Sequence, residues 1–127
     1  MTGLLEIPLH QIAHARSGDK GDRLNIALIC MMPDFYPAIA DQITEDHVAG
    51  IFANRHPSRV VRYDLPGLHA FNFVLDDVLE GGINSSLGLD GHGKSLSYLL
   101  LAAPVRIESL LLEKLKNHQS EFNNGRK

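Results

Sequence analysis

The stretch HARSGDKGDRLNIAL, residues 14–28, divides into a polar piece with two glycines, Arg16–Asp22, and an apolar run that begins at Asn25 and continues to Met32. Gly18 and Gly21 bracket Asp19-Lys20, a spacing suited to a chain that turns through positive φ. Arg16, Lys20 and Arg23 stand against Asp19 and Asp22, more charge than a simple hairpin requires. The expectation is therefore a polar loop leading into a strand over Leu24–Met31, whose almost unbroken apolar character suits burial on both faces or a central place in a sheet. Successive amides in such a loop can form a nest for an anion. Ser17 adds a hydroxyl, and Arg16 and Lys20 add positive charge that matches carboxylate or phosphate. The competing reading is a structural loop in which Asp19 and Asp22 satisfy local amides and neutralise the bases.

On the N-terminal side, Leu5, Ile7 and Leu9 alternate with Glu6, Pro8 and His10, which reads as a first strand. Pro8 has no N–H to give a ladder, so that strand is expected at an edge or with an irregular start. On the C-terminal side, Pro33-Asp34 opens helical structure, with Asp34 as a cap for a segment ending near Ile43. Thr44 reads as the N-cap of a second segment, followed by Glu45 and Asp46 where the helix dipole favours acid. Val48, Ile51 and Phe52 form its apolar face and Asn54 its stop, and Arg59–Asp64 returns as a strand.

After Pro66, the spacing of Leu68, Phe71, Leu75, Val78 and Leu79 predicts a helix. Asn72 would lie inside that stripe, buried and hydrogen-bonded, tying down a neighbouring loop or touching a ligand. Gly81-Gly82 would end the helix and Ser85–Leu89 would form a short strand. A helix over Lys94–Ala102, a short strand over Val105–Ile107 and an amphipathic helix through Leu110, Leu111 and Leu115 complete the expected core. That last helix fits the domain's own core or a subunit contact. Residues 1–118 are read as one domain and Gln119–Lys127 as a disordered tail.

The chain's 127 residues can bury one core without staples. A formal net charge of −3 gives no electrostatic reason to expect nucleic acid or an anionic membrane. The lone Cys30 rules out a disulfide within one chain and reads as a buried thiol. With no leader-like N-terminus and no long apolar run, the expectation is a soluble cytoplasmic protein.

Two motif matches point elsewhere and fail on context. Gly88–Ser95 satisfies G-x-x-x-x-G-K-S, yet only a short chain follows, too little for a nucleotide-hydrolysing parallel sheet with its acidic magnesium ligand; a turn is the expectation. Seven histidines invite a metal, but His10 and His14 lie in an extended pattern, and neither H-E-x-x-H nor a cysteine pair is present. No metal and no cofactor is expected. His14 borders the polar loop and is the histidine placed to act there.

A resemblance runs through the chain. Ile7-Pro8-Leu9, Ala15–Asp22, Asn25-Ile26, Arg62–Pro66, Asn72–Leu75, Gly81-Gly82, Ser86-Leu87, Leu89-Asp90 and Gly93-Lys94 occur in order over roughly residues 5–107. In these motifs the chain resembles the small C-terminal domain of the acyclic terpene utilisation AtuA family, which also occurs as a separate short protein. It departs where Glu80 replaces a usual glycine and Ser85 a basic or polar residue. The resemblance implies an α+β, ferredoxin-like sandwich with helices on one face of a mainly antiparallel sheet. It also implies an accessory or small-subunit role beside a larger AtuA-like protein, in catabolism of terpene-derived or related acyl-CoA compounds. The alternative is a self-sufficient enzyme or binder that takes an acyl-CoA or small carboxylate. Its site would be Arg16, Ser17, Gly18, Asp19, Lys20, Gly21 and Asp22. His14, Asn25, Asn72, Gly81, Gly82 and Ser86 would form a second wall. A homo-oligomer is expected in either case.

Overall fold

A computed structural model describes residues 3–78 and 92–125, the side chains of 92–95 and 120–125 excepted. The Gly81-Gly82 stop, the Ser85–Leu89 strand, Ser86 and the Gly88–Gly91 turn lie outside the described residues. The elements run β1 (Leu4–Pro8), β2 (Ala13–Lys20), β3 (Arg23–Cys30), α1 (Tyr36–Gln42), α2 (Glu45–Ile51), β4 (Arg59–Leu65), β5 (Ala70–Asp76), α3 (His92–Leu101), β6 (Pro104–Glu108) and α4 (Ser109–Gly125).

Four strands form one antiparallel sheet in the order β2-β3-β5-β4. Strand β3 is central, as its apolar run predicted, and it buries Leu24, Ile26, Leu28 and Cys30 on one face. Strand β5 presents Phe71, Phe73 and Leu75 to the same side, directly opposite Leu28, Ile26 and Leu24. The chain leaves β3, passes through α1 and α2 to the edge strand β4, then returns as β5 between them, a split β-α-β arrangement. Ile39, Val48, Phe52, Leu96 and Leu100 bring the helices into the same core. The sheet thus has one face covered by helices and an opposite face that alternation directs away from the core.

Several expectations are corrected. Residues 16–20 are strand, paired residue by residue with β3 from Arg16↔Ala27 to Lys20↔Arg23, so the polar loop shrinks to the two-residue turn Gly21-Asp22. Gly21 has φ +65° and Asp22 does not share the positive sign, the pattern of a II′ hairpin with glycine first. Gly18 sits in the ladder without positive φ. The helix expected after Pro66 is a single 3-10 turn, Pro66–Leu68, followed by β5. Pairing to β3 on one side and β4 on the other wins over the local helical spacing. Asn72 is accordingly a half-buried strand residue, not part of a helical stripe.

Among the described residues the first strand is an edge strand, but of a separate ribbon: β1 pairs with β6, from Leu4↔Glu108 to Pro8↔Pro104. The free edge of β6 is closed by the Gln42 amide, which donates to Arg106 O and accepts from Arg106 N, both at 2.8 Å. Thr44 is the N-cap of α2 as expected, accepting from His47 N at 3.1 Å. Asp34 makes no cap; Lys114 of α4 holds it at 2.7 Å and draws its pKa below the ordinary carboxylate value. Helix α4 carries the backbone through 119–125, the stretch expected as a disordered tail.

Candidate functional site

Register and alternation fix what the uncovered face displays. Three cross-strand rows run from β2 to β4: His14-Ile29-Ala70-Leu65, Arg16-Ala27-Asn72-Tyr63 and Gly18-Asn25-Val74-Val61. A fourth joins Lys20 to Arg23 and Asp76 to Arg59, closed in the middle by an Arg23–Asp76 ion pair of 2.7 Å. Tyr63 is 52% exposed and Leu65 39% exposed, while Val61, Val74 and Ile29 are half-buried beside them. The face is therefore apolar along β4 and at Val74 and Ile29, carries the amides of Asn25 and Asn72 in its middle rows, and has cations at its margins.

The fold brings together His14, Arg16, Gly18, Lys20, Asn25 and Asn72 on this face. It separates Ser17 and Asp19, whose row partners are Ile26 and Leu24 on the helix-covered side. Gly21 and Asp22 stand at the hairpin tip. A strand cannot aim successive amides at one point, so residues 16–20 do not form an anion nest. Ser17 instead lines a hollow of about 410 Å³ beside β2, with Ala15, Arg16, Ser97 and Tyr98. Helix α3 lies against β2 there, burying Ser97 and leaving Tyr98 largely exposed. The Arg16 guanidinium and the exposed Tyr98 hydroxyl give this hollow donors that suit a carboxylate.

The sequence places Val61 and Tyr63 in a strand over Arg59–Asp64 but gives neither them nor Leu65 a part in the site. The alternation Arg59-Val61-Tyr63-Leu65 carried the signal. Nor does the sequence reading give a part to Arg62, on the opposite side of the same strand. The Arg62 guanidinium donates to Ala40 O at 2.7 Å and Ile43 O at 3.0 Å, two carbonyls where α1 ends. It grips Asp64 through both oxygens and lies 5.1 Å from the centre of the Phe71 ring. Tyr36 stacks on that ring at 4.6 Å, and desolvation, with Asp64 adding to it, raises the Tyr36 pKa. This cluster fastens helix to sheet rather than facing a ligand.

Burial pushes the Cys30 thiol up to about 11, so it stays protonated and is a poor nucleophile at neutral pH. Among the described residues no three His, Cys, Asp or Glu side chains gather to hold a metal. No helix there is long and apolar enough to cross a membrane.

A family model described as the AtuA ferredoxin-like domain matches residues 7–106. The chain belongs to the AtuA ferredoxin-like domain family. The match runs from the end of β1 into β6 and includes every element that builds the open face and the hollow. The α+β, ferredoxin-like architecture implied by the motifs is thus the architecture of the chain. No curated protein and no solved structure matches it.

Proposed function

We propose that this AtuA ferredoxin-like protein is the accessory or small-subunit component of an AtuA-type system, acting in catabolism of terpene-derived or related acyl-CoA compounds. In this reading the open sheet face is where it meets a larger AtuA-like protein. One observation carries the proposal: Val61, Tyr63, Leu65, Val74 and Ile29, with the amides of Asn25 and Asn72 among them, lie on the side of the sheet that no helix covers among the described residues. Apolar bands with a polar margin mark association surfaces. The family membership supports the partner's type.

The hollow beside β2 favours a second reading, in which Arg16, Ser17 and Tyr98 hold a small carboxylate or an acyl-CoA. Native mass spectrometry of protein purified gently from its host separates the two. A complex with a larger AtuA-like protein, lost on Tyr63→Glu, is the expected result. A homo-oligomer with a small bound mass that disappears on Arg16→Ala and Tyr98→Phe would replace it with the ligand reading.

A further inference from the structure

We infer that the open face is built for an acidic, apolar-centred surface on a different polypeptide, and that a second copy of this chain does not fit it. The inference rests on the accessory reading and adds the partner's chemistry. The whole chain has a formal net charge of −3, yet among the described residues the rows that hold Arg16, Lys20, Arg23 and Arg59 contain only one carboxylate, Asp76. Arg23 already holds Asp76, and Asp22 stands at the tip beside Lys20. Arg16 and Arg59 make no ion pair among the described residues. They sit on opposite edge strands with the apolar band between them.

Strand spacing and rise put these two cations on the order of 20 Å apart. The partner is therefore expected to carry two acidic positions at that separation, flanking an apolar surface that covers Tyr63 and Val61. The sheet itself offers a plan area of about 450 Å². A standard interface needs about 800 Å² from each side, so the band is its centre and the charged margin part of its rim. In a two-fold dimer the face would meet itself. Among the described residues, the one carboxylate within its rows, Asp76, is already held by Arg23, which leaves none in those rows for the Arg16 and Arg59 of another copy. A nucleic acid would supply the negative charge, but the described face offers two exposed rings, Tyr63 and His14, set apart on β4 and β2 across valine, alanine and asparagine, where single strands want a series of stacking platforms.

The test places a benzophenone amino acid at Tyr63 in the full chain, in its native host, with a second version carrying it at the exposed Leu4 of β1. Cross-linked peptides are then sequenced. The expected product at Tyr63 is a peptide of a larger protein with Asp or Glu close to the attachment point. The complex should weaken about tenfold or more when Arg16→Glu and Arg59→Glu are combined, and should weaken as salt is raised. Arg16→Gln with Arg59→Gln should give a smaller loss, and this pair keeps the test valid if the reversed charges impair folding.

Cross-linking to another copy of this chain, indifference to both charge variants, or saturable binding of a single-stranded oligonucleotide lost on Tyr63→Glu would each overturn the inference. Capture of the larger protein only from Leu4 would overturn it while leaving the accessory reading intact. No larger protein from either position would end both.

Discussion

Arg62→Ala removes the guanidinium that joins α1 to the sheet, and its cost can be built up from the contacts. Arg62 is only about one-fifth exposed, with a side-chain accessibility of 18%. The bonds to Ala40 O and Ile43 O are charge-assisted, and losing them leaves two part-buried carbonyls without this donor. That is worth about 1 kcal/mol each at the low end. The cation–π contact with Phe71 adds about 0.5 kcal/mol at such a partly exposed site. Asp64 is half in water, so its pairing adds roughly 0.5 kcal/mol. The total is about 3 kcal/mol, which for a chain of this length lowers Tm by about 10 °C. Urea unfolding followed by circular dichroism reads the difference directly. Arg59→Ala, on the open face of the same strand, is the control and should fall within about 0.5 kcal/mol of the parent. A loss below about 1 kcal/mol for Arg62→Ala, or equal losses for the two variants, would refute the assignment of Arg62 as the helix-to-sheet tie.

The two glycines of the hairpin should behave oppositely. A Cβ at Gly21 meets nothing within 4 Å, but φ of +65° makes Gly21→Ala cost about 1 kcal/mol. Gly18→Ala, in the ladder and equally open, should be neutral or slightly stabilising in the same urea measurement. Cys30 should react with an aromatic disulfide reagent at pH 8 only as the chain unfolds. Its native pKa lies above the ordinary value of 9.0. Its contribution is therefore intact below pH 9 and lost as pH rises toward 11, on the order of 2 kcal/mol in all. Fast labelling of the native protein, or an unfolding midpoint in Cys30→Ala with the same dependence over that window, would contradict this.

Local chemistry was legible wherever one signal acted alone. The eight apolar-rich residues of β3, the Thr44 cap, the strand at 59–65 and the helix before Pro104 are set by short-range preferences that nothing nearby opposes. Residues 66–79 carried two periods at once. Leu68, Phe71, Leu75 and Val78 suit a helix, while Phe71, Phe73 and Leu75 suit a strand, and only the neighbours β3 and β4 decide between them. The β1–β6 ribbon joins residues about one hundred positions apart, a pairing that no local pattern announces. The candidate site was half legible: Arg16, Asn25 and Asn72 were named, but the surface that unites them exists only once both flanking pairings of β3 are in place.

The same alternation changes what the motif Arg16–Asp22 can mean. Read as a loop, its seven residues would enclose one ligand. Read as a strand and a turn, it sends Arg16, Gly18 and Lys20 to the open face and Ser17 and Asp19 to the side beneath α3. Side chains adjacent in sequence then serve different surfaces, while Arg16 shares its row with Tyr63, which lies three strands away. Only Arg16 reaches both, since it also lines the hollow with Ser17 and Tyr98. A partner seated on the open face would thus engage the one cation that a ligand in the hollow also needs. If both proposed sites are used, sharing Arg16 would give them a direct physical means of influencing each other.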